Sequence, residues 1–355
     1  MLPYLIPIAI CLFGVFRYDI NDRSDFRSNL IWFFLFIYLT LLIGLRYKIG
    51  GDSLVYEEYF NDVYDIQRWR FNLLDFYQPG FSFMVALSKY IYPRFYSFQL
   101  IQALIVNILL FVFINRYTKF KFIALAIILY MVYLYFMTEI LREIFAIMIF
   151  CMIYPLYRGK HWFLYIIGTL IACLFHFSAI ILLILPFLKN IKFNYMYLLY
   201  IVVTIIGTIF FKKIISFIGE GMITDKAEGN AHSFVGYSMT IATIMKGVVF
   251  PLIFACFVKY GSRYKLKFEN IIAIMILFGI ASIFYPLIFG RTLNYFYLFL
   301  AISFADYIGF ALKSKSKKSF INMNILLILF LICYMSSYLV LGGWYKHWIP
   351  YKSVI

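Results

Sequence analysis

Long apolar stretches separated by short polar loops run along almost the whole chain. Their lengths are close to the roughly 20 residues that a helix needs to cross the apolar core of a bilayer. Transmembrane strands would instead show short segments in which apolar and polar residues alternate. The pattern therefore predicts an all-α, polytopic transmembrane helical bundle, with apolar stretches at residues 2–16, 29–45, 95–115, 121–137, 140–157, 195–215, 240–259, 268–288, 292–311 and 320–341.

Two further regions do not read as one simple span each. The apolar stretch 162–189 is interrupted around His176, which predicts two short helices with His176 at the bend between them. Region 76–93 is broken near its start by Gln78-Pro79-Gly80, and its apolar part is short for a span. A re-entrant or interfacial helix is therefore predicted at 76–93, beside about 12 spans elsewhere.

Composition supports the prediction of a membrane protein, and the distribution of charge predicts which loops lie on each side of the membrane. Of the 355 residues, 65% are hydrophobic and 14% are charged, and the mean hydropathy of +0.89 is too high for a water-facing surface. The net charge of +16 is spread over short loops, as the positive-inside rule predicts, and does not indicate a nucleic-acid partner. The six basic loops share one face if 76–93 does not fully cross and 162–189 crosses twice. We therefore expect a single integral membrane domain, residues 1–355, with both termini and the loops near 46–75 and 216–239 on the extracytoplasmic side.

A polar segment at the outer end of the second apolar stretch contains the largest group of candidate functional residues. It combines Arg46, the pair Gly50-Gly51 and Asp52. Glycine permits unusual backbone angles and the close approach of a ligand, and arginine can grip phosphate or carboxylate oxygens with two parallel hydrogen bonds. Asp52 is placed to orient Arg46 or to bind a sugar hydroxyl. The alternative is a capped helix end with a surface ion pair.

Two further arginines stand beside apolar stretches. Arg142 opens the apolar run 141–150, and charged side chains at membrane depth usually face a cavity or a partner. Glu139 and Glu143 are its neighbouring acids. Arg291 lies between two apolar stretches without an adjacent acid and suits an anionic ligand such as a diphosphate. For both arginines the alternative is a side chain that snorkels to the interface.

His176 is a candidate for proton chemistry at the bend of a helical hairpin. A neutral imidazole acts as a base or as a hydrogen-bond donor near neutral pH, and the alternative is a packed, hydrogen-bonded histidine. It has no second histidine or acid at ligand spacing, and the five cysteines, including Cys173 three residues before it, lie in apolar stretches without a C-x-x-C pair. Neither a metal site nor a disulfide framework is expected.

Asp306 and the carboxyl-terminal tail are the remaining polar features of note. Asp306 lies in an apolar stretch towards its inner end, and we expect it to pair with a loop lysine. The tail 344–352 mixes aromatic and cationic residues, which suits sugar stacking or headgroup contact.

The predicted topology places five distant residues at one depth on one face. Several cations beside one histidine and one carboxylate indicate a polyanionic, lipid-borne substrate and a transfer reaction, in which fixed charge stabilises a departing diphosphate. These five candidate site residues are Arg46, Asp52, Arg142, His176 and Arg291.

The motifs together resemble the EpsG family, the Wzy-type polymerases of bacterial exopolysaccharide and capsule. The resemblance covers roughly residues 30–300 and keeps the order of the motifs. The family often has an acidic residue where this chain has Gln78, so no carboxylate role is expected there. The residues that carry the resemblance are Gly44-Leu45-Arg46-Tyr47, Gly50-Gly51-Asp52 with Tyr56, Gln78-Pro79-Gly80-Phe81, Arg142 with Ala146, His176-Phe177-Ser178-Ala179 and Arg291 with Tyr295.

This resemblance implies a membrane glycosyltransferase of the bacterial inner membrane. It would join oligosaccharide repeat units carried on polyprenyl (undecaprenyl) diphosphate into exopolysaccharide, capsule or O-antigen at the outer leaflet. Arg142 and Arg291 would hold the diphosphate, His176 or Asp52 would activate the acceptor hydroxyl, and Arg46 would order the mouth of the site. The implied partners are the lipid-linked oligosaccharide, membrane lipid, a chain-length regulator and a flippase. No cofactor and no metal is implied.

Two other kinds of function stay open. An O-antigen ligase or a lipid-linked sugar glycosyltransferase would share the same substrate chemistry. A polysaccharide transporter or flippase would place polar groups near the midplane in broken helices and internal repeats. The sequence shows neither a repeat nor a midplane charge network, which favours the enzyme.

Overall fold

The computed structural model describes residues 2–21, 25–73, 77–159, 161–218, 241–262, 264–314, 316–340 and 345–354. Within them the chain is 78% helix and contains no strand, which confirms the all-α prediction. The predicted loop at 216–239 lies outside these residues except for its first three.

The helices follow the apolar stretches, and local signals set some of their ends. Asp25 caps α2, because its carboxylate accepts from the N–H of Ser28 at 2.8 Å. Pro79 stands in the first turn of α4, where a missing N–H costs nothing. In chain order the helices are α1 (Leu2–Asp19), α2 (Phe26–Gly44), α3 (Ser53–Asp62), α4 (Pro79–Ile91), α5 (Phe95–Tyr117), α6 (Lys121–Thr138), α7 (Glu143–Arg158), α8 (Trp162–Cys173), a 3₁₀ helix (Phe177–Leu188), α9 (Tyr197–Ile218), α10 (Ile241–Gly261), α11 (Glu269–Ala281), α12 (Pro286–Thr292), α13 (Asn294–Lys313), α14 (Lys317–Val340) and α15 (Tyr345–Trp348).

Seven helical segments in the described part of the chain are long and apolar enough to cross a membrane, and five more apolar helices are shorter. The predicted number of about 12 spans is therefore not confirmed. Helix α4 has 13 residues, or about 20 Å of length, well short of the bilayer core. Its re-entrant or interfacial placement stays a prediction. The predicted bend at His176 is confirmed, because α8 ends at Cys173 and the 3₁₀ helix begins at Phe177.

The chain forms two compact units. The first comprises residues 1–186 and 344–355, and the second comprises residues 187–343. A single membrane domain, as the sequence suggested, stays a prediction.

The first unit is held together by close helix packing and by buried polar contacts. Helix α2 packs along α5, and α7 pairs with α8. In the core, Asn107 donates to the hydroxyl of Thr40 at 3.1 Å and accepts from the hydroxyl of Tyr133 at 3.0 Å. These hydrogen bonds join α2, α5 and α6, where unpaired polar groups would be costly.

The second unit is built around α13. Of the residues in the apolar window of Phe289–Lys313, 83% are buried inside the protein. The carboxylate of Asp306 forms an ion pair with Lys267 at 2.8 Å. The predicted pairing of Asp306 with a loop lysine is therefore confirmed, and this carboxylate has a structural partner.

Candidate functional site

The loop between α2 and α3, residues 45–52, is held by the carboxyl-terminal tail of the same unit. The N–H of Tyr47 donates to the carbonyl of Lys352 at 2.9 Å, and the N–H of Gly50 donates to the carbonyl of His347 at 3.1 Å. Trp348 is only 6% exposed, so this ring is buried, and sugar stacking or headgroup contact by the tail stays a prediction. The tail therefore belongs to the framework of this loop.

Glu139 is the principal side-chain acceptor for the loop. Its carboxylate is buried and accepts from the N–H of Gly51 at 2.8 Å and from the indole N–H of Trp348 at 2.9 Å. It also acts electrostatically on Arg46. The sequence suggests Asp52 for that role and places Glu139 beside Arg142. The carboxylate that acts on Arg46 is Glu139.

Arg46 is a buried cation at the base of the loop. It is 1% exposed, and its Nη1 donates to the carbonyl of Ile43 at 2.8 Å. Burial lowers the pKa of Arg46 to about 10, and the nearby Glu139 carboxylate opposes that shift. Arg46 therefore keeps its charge at neutral pH.

Gly50 occupies a position that only glycine fits. Its φ is +109°, and a Cβ there would stand 2.7 Å from the carbonyl oxygen of Thr138. The left-handed backbone and the close contact both exclude a side chain. This explains the first glycine of the Gly50-Gly51 pair.

We expect Gly50→Ala to lower the free energy of unfolding by about 1–3 kcal/mol, because the backbone is strained and the new methyl group meets Thr138. Thermal unfolding of the purified protein in detergent measures this loss. Gly207→Ala is the matched control, since a Cβ at Gly207 in α9 meets nothing within 4 Å. Equal stability of the two variants would contradict the assignment of Gly50.

Arg142 lies in the break between α6 and α7 and contacts two other elements. Its guanidinium stands over the ring of Tyr77, 4.8 Å from the centroid, and its Nη1 donates to Gln78 Oε1 at 3.4 Å. It also forms a side-chain hydrogen bond with Tyr56. Arg142 therefore joins the start of α4 to the middle of α3.

Asp52 acts electrostatically on the same pair of tyrosines, Tyr56 and Tyr77. It is exposed at the N-cap of α3, where an aspartate usually caps the helix, yet its side chain makes no capping hydrogen bond. Burial is the main cause that raises the pKa of Tyr56; Arg142 opposes this and Asp52 adds to it. The pKa of Tyr77 is raised in the same way. One cation and one exposed carboxylate thus act on the same two phenols.

Aromatic rings form a platform beside Arg142. The rings of Tyr59 and Tyr77 lie 3.7 Å apart between centroids, and the ring of Phe81 stacks on Tyr77 at 5.9 Å. Tyr56 packs against Phe81 at 5.8 Å. Such rings combine a broad apolar face with phenolic hydroxyl groups. Phe81 and Tyr56 are buried, so the part of the platform within reach of a ligand is formed by the partly exposed rings of Tyr59 and Tyr77.

The His176 bend contacts the start of α4. The N–H of Gly80 donates to the carbonyl of Leu174 at 2.7 Å, and a Cβ on Gly80 would stand 2.7 Å from that same oxygen. Gly80 is two residues from Gln78, which accepts from Arg142. The segments of Arg142 and His176 therefore contact the same turn, and Gly80 permits that approach.

The hydrogen bonds of His176 indicate its tautomer. The N–H of Ser178 donates to His176 Nδ1 at 3.3 Å, and the hydroxyl of Ser178 lies 2.6 Å from the same nitrogen. With Nδ1 as the acceptor of that N–H, the neutral ring carries its hydrogen on Nε2, whereas the shorter hydroxyl contact fits either tautomer. In this arrangement Nε2 is a donor.

The five predicted site residues divide between the two units. Arg46, Asp52, Arg142 and His176 belong to the first unit, where Asp52 and Arg142 share two tyrosines and Arg46 lies at the base of the loop that leads to Asp52. Arg291 is exposed in α12 of the second unit. Its predicted gathering with the other four stays a prediction.

Three residues of this region were not predicted as site residues. Tyr77 directly precedes the Gln78-Pro79-Gly80 motif, and that adjacency was the available signal. Glu139 was recognised only as a neighbour of Arg142. Trp348 meets Glu139 across 209 positions of sequence, and no local pattern reports such a contact.

Comparison with known proteins identifies the family. A model of the EpsG family matches residues 29–353. Neither the curated proteins nor the solved structures contain a match to the chain. Because the matched residues cover nearly the whole chain, it belongs to the EpsG family, a family of Wzy-like polysaccharide polymerases.

Proposed function

We propose that the first unit carries the active site of a membrane polymerase that joins oligosaccharide repeat units carried on polyprenyl diphosphate. The observation that carries the proposal is the position of Arg142, over Tyr77 and within reach of the phenols on which Asp52 acts. Family membership supports polymer synthesis as the overall process.

The bond changes assign a task to Arg142. The anomeric C–O bond between the growing glycan and its polyprenyl diphosphate breaks, and the diphosphate leaves with the bonding electrons. A hydroxyl oxygen of the incoming repeat unit forms the new glycosidic bond. The guanidinium of Arg142 then neutralises charge on the leaving group and binds two of its oxygens at once.

The proton of the attacking hydroxyl needs an acceptor, and we assign this role to the carboxylate of Asp52. The carboxylate of Asp52 is exposed and does not cap its own helix. In the tautomer that carries its hydrogen on Nε2, His176 suits donation to a sugar or phosphate oxygen. The sequence left Asp52 and His176 as alternative bases, and the geometry favours Asp52.

The aromatic platform supplies a place for the sugars next to the reacting bond. The partly exposed rings of Tyr59 and Tyr77, backed by the buried ring of Phe81, would contact the apolar side of a sugar ring. Because these rings lie near Arg142, they would hold the glycan while its diphosphate is bound to the guanidinium. Holding the reacting groups in place lowers the entropic cost of the reaction.

The membrane arrangement completes the proposal. The seven long apolar helices would cross the bilayer. The site would then face the outer leaflet of the bacterial inner membrane, and the product would be exopolysaccharide, capsule or O-antigen. A flippase would supply the substrate and a chain-length regulator would limit the product.

Reconstitution tests this function directly. Purified protein in nanodiscs, given lipid-diphosphate-linked repeat units without nucleotide or ion gradient, should form chains of increasing length and release polyprenyl diphosphate. A transporter or flippase would form no glycosidic bond, so unchanged repeat units would overturn the proposal.

Glycan length in a deletion strain separates the polymerase from a ligase. Loss of a polymerase leaves single repeat units on the carrier, whereas loss of a ligase leaves long chains that stay unattached. We expect single repeat units, and restoration of long chains by the intact gene.

A further inference from the structure

A cationic pocket lies in the first unit, lined in part by Arg46, Tyr47 and Lys48 of the loop. It has a volume of about 360 Å³, within the range of small-molecule sites. Three cations line it, Arg46, Lys48 and Arg94, and the acidic side chain in its wall is Glu57. The excess of positive charge selects an anion.

Two nitrogens of the buried Arg46 guanidinium make no hydrogen bond among the described residues. Its Nη1 bonds to Ile43, whereas its Nε and Nη2 are buried and have no hydrogen-bond partner among the described residues. A buried charge with unmet donors is costly, and an anionic ligand in the pocket would remove that cost. Arg46 is therefore a second sign of a ligand, independent of the charge of the wall.

Glu139 lies near Arg46 but is occupied elsewhere. One of its oxygens accepts from Gly51 and the other accepts from Gly51 and from Trp348. Its charge therefore moderates the field at Arg46, while the donors on the guanidinium stay available. A carboxylate bonded directly to Arg46 would have closed the pocket to an anion.

The start of α5 adds to the anion-binding character of the pocket. Arg94 is the N-cap residue of this 23-residue helix, and Phe95 and Tyr96 of its first turn line the pocket. The first turn of a helix exposes N–H groups without intrahelical acceptors and carries partial positive charge. Lys48, which also lines the pocket, has a φ of +50°, a strained backbone of the kind found at ligand sites.

We propose that this pocket binds the diphosphate of the acceptor, the second lipid-linked substrate of the reaction. The inference rests on the proposed polymerase function. The donor loses its diphosphate at Arg142, but the acceptor keeps its own diphosphate at the far end of its oligosaccharide from the attacking hydroxyl. A polymerase of this kind needs a separate anion site, and the loop 46–52 joins the Arg46 pocket to Asp52.

The test uses two substrates that cannot exchange roles. The donor has its non-reducing hydroxyl blocked and so cannot accept. One acceptor is the repeat unit on lipid diphosphate through a non-cleavable carbon linkage, and the other is the same oligosaccharide on the same lipid through a neutral ether. The full-length protein in nanodiscs is measured with each acceptor, and the ratio of the two KM values reports the contribution of the diphosphate.

The informative variant is Lys48→Ala combined with Arg94→Ala, because both side chains are exposed and the buried Arg46 stays in place. We expect wild type to prefer the diphosphate acceptor and the double variant to lose about tenfold of that preference, through KM. The matched control is Arg116→Ala with Lys119→Ala, one arginine and one lysine, both exposed, at the other end of α5. The control should keep the wild-type ratio.

Other outcomes separate the sources of failure. A fall that is equal for both acceptors and varies with the anionic phospholipid content of the nanodisc would assign the pocket to a phospholipid headgroup and overturn the inference. An unchanged ratio in the double variant would also overturn it. Absence of any polymer from wild type would instead refute the proposed function.

Discussion

Arg142→Ala should abolish polymer formation while the protein stays folded. The guanidinium stands over Tyr77 and bonds to Gln78 and Tyr56, so it is fixed where the leaving diphosphate would develop charge. Removing one preorganised donor of this kind typically costs about 10²–10³-fold in kcat. We expect a loss of that size in the reconstituted assay and single repeat units in cells.

The matched controls for this prediction separate charge from geometry. Arg142→Lys keeps the positive charge but loses the planar guanidinium that binds two oxygens at once and packs over Tyr77. The activity of this variant should therefore fall between wild type and Arg142→Ala. Arg116→Ala removes an exposed arginine at the end of α5 and should leave chain length unchanged. Wild-type chain length in Arg142→Ala would remove the diphosphate assignment.

Glu139→Ala should cause the largest loss of stability in the first unit. The change leaves Arg46 buried without its nearby carboxylate and removes the acceptor of Gly51 and Trp348. Leaving a buried polar group without its hydrogen-bond partner typically costs about 1–3 kcal/mol, and a buried charge costs more. Thermal unfolding in detergent should therefore show a marked fall in Tm.

Glu58→Ala is the control for that loss, because Glu58 is exposed on α3. Surface substitutions of this kind usually change stability by no more than about 0.5 kcal/mol. Trp348→Phe should fall between the two, since it keeps most of the buried ring and removes only the indole donor to Glu139. Equal Tm values for Glu139→Ala and Glu58→Ala would show that the loop does not depend on this carboxylate.

The sequence identified those features of the site that depend on local chemistry. Gly50, the first glycine of the pair, follows from a backbone that needs glycine, and the broken hairpin at His176 follows from a polar interruption of an apolar stretch. Arg142 was recognised because a charge at the start of an apolar helix is unusual. Each of these signals lies within a few residues of sequence.

Contacts between distant parts of the chain could not be predicted in the same way. Glu139 was paired with its sequence neighbour Arg142, but its carboxylate accepts from Trp348, more than half the chain away. The tail was interpreted by composition, and composition does not distinguish a buried tryptophan from an exposed one. The length of each helix, on which the number of spans depends, was also less regular than the apolar pattern suggested.

The most direct test of the site is a structure of the full-length protein with polyprenyl diphosphate bound. We expect phosphate oxygens within about 3 Å of the guanidinium nitrogens of Arg142, with the lipid-proximal sugar of a glycan-bearing analogue against the ring of Tyr77. A diphosphate bound away from both Arg142 and Arg46 would contradict the assignment of catalysis to the first unit.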